Sequence, residues 1–490
     1  MNKPLLAAEE HGIERAEVEA VNAAAQRPLY VDRVKIFPKR VHGIFRNLKW
    51  LFMALALGFY YVGPWLRWER PGDAPDQAIL MDLAGRKFYW FFIEIWPQEI
   101  YYLTGLLILA ALLLFLVTAA FGRVWCGYAC PQTVWTDLFI AVERLVEGDR
   151  SARIRLDKAK WGAAKLLRRT VKHGLWLAIA MATGGAWVFY FADAPTLMGQ
   201  LLVGEAPLPA YVFIGLLTLS TYLLGGLARE QVCTYMCPWP RIQAALIDEE
   251  TFTVTYRQDR GEPRGPLRKN AGWEDRGDCI DCKQCVVACP MGIDIRDGLQ
   301  LECITCALCI DACNTVMDRI GRPRGLIAYD NDNNMARRSR NEPSRFRLIR
   351  ARTVLYAALM LVVAAIMTVS LVSRSTLDLN VLRDRNPLYV TLKDGSVRNG
   401  FTLKLLNKQH ATQHFDVVLV GLDKPRITLP TGERGAPVLT VGPDRPGTFR
   451  LFIALPKEEA GRGRQAFTLR VVNRDTGEWA EEETSFHAPK

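Results

Sequence analysis

Eight of the twelve cysteines in this 490-residue chain stand in two copies of one spacing. CIDCKQCVVACP supplies Cys279, Cys282, Cys285 and Cys289, and CITCALCIDACN supplies Cys303, Cys306, Cys309 and Cys313. Each copy reads Cys-x2-Cys-x2-Cys-x3-Cys, the spacing of bacterial two-cluster ferredoxins, in which the fourth cysteine of a run ligates the other cluster. The expected ligand sets are Cys279, Cys282, Cys285 and Cys313 for one 4Fe-4S cluster, and Cys303, Cys306, Cys309 and Cys289 for the second. Zinc sites use paired cysteines separated by longer gaps, whereas three closely spaced thiolates wrap one face of a cubane. Pro290 follows the first run, but Asn314 stands where a second proline would be expected, which leaves ligation intact and alters the local turn.

The other four thiols form two matched pairs, Cys126 and Cys130 in CGYACPQT and Cys233 and Cys237 in CTYMCPWPR, each following a long apolar run. On a helix, thiols four apart stand one turn, about 6 Å, apart on one face. Pro131 and Pro238 would then either free backbone carbonyls or start a new helix. Three chemistries fit such pairs. They could be small packing residues at helix ends, or a dithiol redox pair with thiolates favoured by Arg123, Arg229 and Arg241. The favoured reading is a soft-metal site, since thiolates select Cu(I), and Met236 offers a thioether nearby, although a packing role suits that methionine better.

The elements that must position these thiols begin with membrane helices. A mean hydropathy of +0.04 averages very apolar and very polar segments. Five windows without Asp, Glu, Lys or Arg approach the roughly 20 residues needed to span a bilayer: Trp50 to Leu66, Ile100 to Phe121, Gly174 to Phe191, Leu208 to Leu227 and Thr353 to Val372. Lys and Arg, retained on the cytoplasmic side, number nine from Arg150 to Lys172, seven from Arg27 to Lys49 and seven from Arg337 to Arg352. One topology follows, with the N-terminus, the 122–173 loop and residues 228–352 inside and the C-terminus outside. The two helical hairpins carrying the thiol pairs then read as parallel repeats whose four thiols converge.

This divides the chain into a flexible, basic cytoplasmic N-terminus (1–49), a four-helix membrane domain (50–248), a cytoplasmic ferredoxin-like domain (249–352), a fifth membrane helix (353–372) and an external domain (377–490). Residues 1–30 lack the apolar core of a signal peptide. The net charge of +11 is accounted for by the retention signal and attraction to anionic lipid, which disfavours nucleic-acid binding. All the cysteines fall on the inner side, so the external domain is no disulfide scaffold.

From Leu377 onward, PLYVTLKD, FTLKLLNK, FDVVLVGL, FRLFIALP and FTLRVVNR alternate with Gly, Pro, Asn and Asp clusters, the pattern of a β-sandwich. His410 and His414 read as ordinary solvated residues in preference to a copper site. No Gly-x-Gly-x-x-Gly turn or phosphate loop appears, so electrons are expected from a separate donor such as a soluble ferredoxin or reductase. Arg260, Arg264, Arg268, Lys269 and the 337–352 run could attract it, but topology explains those charges first.

The five-helix layout, CGYACPQT, CTYMCPWPR, the tandem cluster motifs and the terminal β-domain together resemble the FixG/RdxA/CcoG family of cytochrome c oxidase accessory proteins. The resemblance covers nearly the whole chain after residue 30. It implies a multi-pass cupric reductase of the bacterial inner membrane that supplies Cu(I) for cbb3-type oxidase maturation, with two 4Fe-4S clusters as cofactors, copper as substrate and a periplasmic immunoglobulin-like domain. The partners implied are the bilayer, an unidentified electron donor and copper-delivery or oxidase-assembly proteins, with a homo-oligomer compatible and nucleic acid excluded. An electron relay that reduces a protein disulfide or a quinone-linked centre is the alternative.

Overall fold

A computed structural model describes residues 12, 13, 15–21, 34–72, 74–267, 273–430 and 437–489. Arg268 and Lys269 and most of the N-terminal lead lie outside the described residues. The described residues form two compact units that divide between Met367 and Thr368, with residues 69–76 belonging to the second.

Among the described residues, three helices are long and apolar enough to cross a membrane: Pro97–Phe121, Leu208–Ala228 and Ala351–Val372, the last running across the division between the units. The other two expected windows are helical, but neither helix is among those long and apolar enough to cross a membrane, so three of the five expected spans have a matching helix. Helix Ile44–Val62 starts in the basic segment and includes Arg46 and Lys49. It stops short of Leu66 because Pro64 sits in a tight 3-10 turn, Gly63–Trp65. The Tyr190 hydroxyl serves that helix end, donating towards the carbonyls of Phe59 and Tyr60 at 3.2 and 3.1 Å. Helix Ala163–Val188 likewise begins in the basic loop and carries Lys165, Arg168, Arg169 and Lys172 before its apolar part. It packs closely on Leu208–Thr221, since a Cβ on Gly184 would lie 2.7 Å from the Ile214 carbonyl oxygen. Small residues permit such approach where no hydrophobic effect drives helices together.

Between the first two helices a short antiparallel sheet runs β1 (Ile79–Asp82), β2 (Lys87–Trp90), β3 (Ile93–Ile95). Both cluster motifs lie between β4 (Thr253–Tyr256) and β5 (Ile327–Asp330), which pair antiparallel with Thr253 opposite Asp330. The lead expected to be flexible is ordered in part. Ala16 N–H donates to the Cys282 carbonyl at 3.1 Å, Val21 N–H donates to that of Gly292 at 2.8 Å, and Ile13 is buried in the core around the cluster motifs. An apolar residue every few positions gives this stretch a core to join.

The second unit contains two antiparallel sheets. One orders β10 (Arg426–Thr428), β12 (Arg445–Leu455), β8 (Val397–Asn407) and β6 (Leu377–Arg383), with β7 (Val390–Thr391) also on β8. The other orders β11 (Val438–Val441), β9 (Gln413–Val420), β13 (Arg464–Asn473) and β14 (Trp479–His487). Phe401, Leu403 and Leu405 of β8 alternate inward with Phe415 and Val417 of β9 and Leu469 and Val471 of β13 in one core, the period-two burial of a sandwich. PLYVTLKD contributes only the two-residue β7, since both faces of that segment are exposed and bury nothing. His410 precedes β9, with Nδ1 2.5 Å from Asp444, while His414 faces Thr440, so the two do not converge.

Candidate metal centres

The two cluster loops share one backbone design. Asp281 and Lys283 in the first and Thr305 and Ala307 in the second take left-handed conformations at φ 52°, 55°, 53° and 60°. These are equivalent positions within each run. Such turns aim successive N–H groups inward, and backbone N–H groups reach Cys282, Cys289, Cys303 and Cys313. Cys279, Cys282, Cys285 and Cys313 surround one cavity. Cys289, Cys303, Cys306 and Cys309 surround a second, and Cys285 borders both.

Burial pushes the thiol of Cys303 up to about 11 and that of Cys289 up to about 12, and raises Cys285 and Cys309 far above the ordinary range. Crowded, dry sulfurs of this kind stay protonated unless a cation stabilises them, and iron ions meet that need. The donor set, all sulfur with inward N–H groups, fits cubane clusters. Asn314 has a visible consequence. The helix Leu308–Arg319 runs through Cys313 where a proline would break it, while the Asn314 side-chain oxygen accepts from Gly325 N–H at 2.9 Å. By contrast, helix Gln284–Ala288 ends at Cys289, just before Pro290.

The four remaining thiols also come together. Cys126, Cys130, Cys233 and Cys237 line one cavity of about 190 Å³. Neither pair lies on a continuous helix. Cys126 is in the short helix Val124–Tyr128 and Cys233 in a π-helical turn, Val232–Met236, whereas Cys130 and Cys237 are extended, at ψ 127° and 121°. Each second cysteine donates its N–H five residues back, Cys130 to Trp125 at 2.9 Å and Cys237 to Val232 at 2.8 Å, the residue before the first cysteine in both motifs. Pro131 and Pro238 then open new helices, Pro131–Glu147 and Trp239–Leu246, as suits a residue with fixed φ and no N–H.

Two expectations about these thiols are corrected. Arginines do not make Cys126 and Cys233 acidic. Burial pushes Cys126 up to about 12, with Cys130 and Cys233 adding to the rise and outweighing the pull of Arg123. Cys233 is likewise raised to about 12 by burial and by Cys130, Cys237 and Glu230. Arg229 is turned away, paired to Glu143 at 2.7 Å. Met236 is 63% exposed and stands outside the cavity wall, so it neither joins the thiols nor takes the packing role expected of it.

The thiol cavity abuts the cluster loop. Leu301, Glu302 and Ile304 complete its wall, and Ile304 also lines the cavity of Cys289, Cys303, Cys306 and Cys309. Arg123 clamps the junction, donating to the Leu301 carbonyl and, at 2.8 Å, to that of Pro240. Cys126 Sγ donates to Gln243 Oε1 at 3.1 Å. Gly127 is required by contact: a Cβ there would lie 2.6 Å from the Ile304 carbonyl oxygen. Gly127 and Tyr128 sit inside CGYACP, so their role was visible in the motif but not assigned.

A second feature escaped sequence reading. Helix Pro131–Glu147 presents buried Asp137, Glu143 and Glu147 to cations from several segments. Asp137 meets Arg46 at 2.8 Å, Glu143 meets Arg153 at 2.9 Å and Arg229 at 2.7 Å, and Glu147 meets Lys172 at 3.1 Å. Basic residues read only as topology signals are therefore also structural. Three carboxylates on one helix among basic loops were the signal.

Comparison with known proteins agrees with this architecture. Residues 228–332 match the model of a 4Fe-4S dicluster domain, residues 103–147 a 4Fe-4S binding domain, and residues 367–489 the "IG-like fold at C-terminal of FixG". The chain is 49% identical to the nitrogen fixation protein FixG of Rhizobium meliloti, covering 97% of each chain. It is 54% identical to protein RdxB of Cereibacter sphaeroides over 89% of this chain and 91% of that one, and 52% identical to its protein RdxA over 92% and 95%. The chain belongs to the FixG/RdxA family and is a membrane-associated 4Fe-4S electron-transfer protein.

Proposed function

We propose that this protein reduces Cu(II) to Cu(I) for assembly of a cbb3-type cytochrome c oxidase, with Cys126, Cys130, Cys233 and Cys237 holding the copper. The observation that carries the reading is the shared wall at Ile304, which sets the four-thiol cavity directly against the second cluster cavity. In this reading Cys279, Cys282, Cys285 and Cys313 hold one cubane and Cys303, Cys306, Cys309 and Cys289 the other. Bound cubanes supply single electrons, which suits a one-electron acceptor such as cupric ion. The four thiols lose protons as the metal enters and, being soft donors, favour Cu(I). Gln243 and Arg123 fix the cavity wall while the metal changes charge.

The five-span topology belongs to the same proposal. The N-terminus and cluster region face the cytoplasm of a bacterial inner membrane and the immunoglobulin-like domain faces the periplasm, an arrangement supported by the basic loops. Anaerobic protein containing about eight iron atoms, reduced with dithionite and desalted, should convert Cu(II) to a species captured by a Cu(I)-selective chelator. Intact reduced clusters that leave Cu(II) unreduced but reduce a protein disulfide would replace this reading with the electron-relay one.

A further inference from the structure

A separate cavity, of about 1220 Å³, opens beside helices Ala163–Val188 and Leu208–Thr221. Leu166, Leu177 and Leu219 make much of its wall apolar. His173 Nδ1 lies 2.9 Å from the Tyr222 hydroxyl, and the His173 ring stands edge-on to Trp176 with centroids 5.1 Å apart. The backbone widens at this point into a π-helical stretch, Tyr222–Ala228, a feature frequent at functional sites. Gly226 leaves room for Trp176, which a Cβ there would approach to 3.1 Å.

The charges at this cavity are already engaged. Lys172 pairs with Glu147 at 3.1 Å, Arg229 with Glu143 at 2.7 Å, and Lys35 and Arg169 with Asp157 at 2.9 and 2.7 Å. Lys165 donates to the carbonyls of Asp157 and Ala159 at 2.9 and 2.6 Å. A phosphate headgroup would have to break these pairs, whereas a neutral aromatic ring with polar oxygens and an apolar tail would not. The cavity also adjoins the thiol site. Gln132, which lines the thiol cavity, donates to the carbonyls of Leu224 and Arg229 at 2.8 and 3.1 Å, and Arg229 lines the larger cavity.

We propose that this cavity binds the ring of a membrane-soluble quinone or hydroquinone, with His173 and Tyr222 bonding a ring oxygen, and that it is the entry point for electrons. This replaces the soluble donor expected from sequence. A hydroquinone gives up two electrons and two protons on becoming a quinone. One proton passes to His173 on Nε2, the nitrogen away from Tyr222, and the other to water at the mouth beside Lys35 and Asp157. The two electrons go singly to the iron-sulfur centres of the same chain. The inference rests on the iron-sulfur electron-transfer reading and is independent of copper.

The test uses the full chain in detergent, with decylubiquinone as the probe. Quenching of tryptophan fluorescence should saturate, and His173→Ala should weaken binding about tenfold and Tyr222→Phe severalfold, as loss of polar contacts to a buried ligand predicts. In dithionite-reduced, desalted protein, decylubiquinone should reoxidise the clusters at least tenfold more slowly in His173→Ala, with reoxidation by ferricyanide unchanged. Copper reduction by pre-reduced protein should also be unchanged in that variant, so a failed copper assay beside normal quinone results would count against the copper reading alone. Absence of saturable quenching, or quenching and reoxidation unaffected by both substitutions, overturns the proposal. Displacement of the probe by phosphatidylglycerol, with cluster reoxidation unaffected by His173→Ala, assigns the cavity to lipid and overturns it as well.

Discussion

The Tyr128 hydroxyl donates to the Cys306 carbonyl at 3.2 Å, tying the first Cys-x3-Cys-Pro motif to the second cluster loop. The neighbouring Gly127 lets the two backbones meet, with a Cβ there falling 3.0 Å from Cys306 Cα. The thiol pair and the cluster ligands are thus parts of one rigid junction. Gly127→Val should force them apart, reducing copper turnover more than tenfold and stability by about 1–3 kcal/mol, the usual cost of overpacking. Iron content and the chelator assay on the same preparation check it. Full turnover in a well-folded Gly127→Val variant would show that close contact is unnecessary.

The shared cavity makes a prediction about the cysteines themselves. Replacing Cys126 and Cys130 by Ser should abolish copper reduction nearly as completely as replacing Cys233 and Cys237, and the quadruple change should add little, since residues serving one unit lose it at the first removal. Cluster content, followed by iron assay and electron paramagnetic resonance, should stay at the wild-type level. Full copper reduction in the quadruple variant would return these thiols to packing.

The gathering of the eight motif cysteines was legible because their spacing is local. Both four-cysteine runs gather as their spacing implied, including the exchange of Cys289 and Cys313 between sites. The convergence of the thiol pairs was also legible, through matched motifs after matched apolar runs. Long-range pairing was not. Nothing local in the sequence said that Arg229 would turn towards Glu143 and away from Cys233. Helix ends were legible where the apolar run itself stops, as at Phe121 and Val372, but not at Pro64, where the apolar run continues to Leu66 and the helix does not. The strand expected at PLYVTLKD failed because propensity without a face to bury does not hold a strand.

Glu143 should make stability pH-dependent. Burial alone would raise its carboxyl, but Arg229, Arg153 and Lys172 hold it down at about 2, from 4.5. A depressed folded-state pKa gives stability that is present above the unfolded value and lost as pH falls from about 5 towards 2, worth about 3 kcal/mol. Glu143→Gln should flatten the fall in Tm across that window. It should also lower Tm at pH 7, because removing one member of a buried pair leaves charge uncompensated, at about 3–5 kcal/mol. An unchanged Tm at pH 7 would show the network to be dispensable.

Arg296 is the charge set to tune the first cluster. It lines that cavity, is 6% exposed and is held by Asp281 and Asp294 at 2.7 and 2.6 Å. A nearby fixed cation favours the more negative, reduced state of a cluster. Arg296→Gln should lower the midpoint potential of one cluster by on the order of tens of millivolts and leave the other nearly unshifted. Redox titration followed by electron paramagnetic resonance reads both. Equal shifts in the two would mean a general loosening of the fold.

Topology can be tested with reporters placed on either side of helix Ala351–Val372. Asn334 is a poor tag site, since it is buried and its side-chain oxygen accepts from Arg345 N–H at 2.8 Å. The turn at Asn341 is exposed and precedes helix Ala351–Val372. That helix has no buried residue in its most apolar window, as expected of a segment surrounded by lipid, and the basic run from Arg337 to Arg352 before it should hold its start in the cytoplasm. A reporter at Asn341 should therefore be active only as a cytoplasmic fusion, and one appended after Lys490 only as a periplasmic fusion. Replacing Arg337, Arg338, Arg340, Arg345 and Arg347 by Gln should weaken that asymmetry without moving the cluster region, which earlier helices also hold. Both reporters on one side of the membrane would remove Ala351–Val372 as a span and, with it, the periplasmic assignment of the β-sandwich.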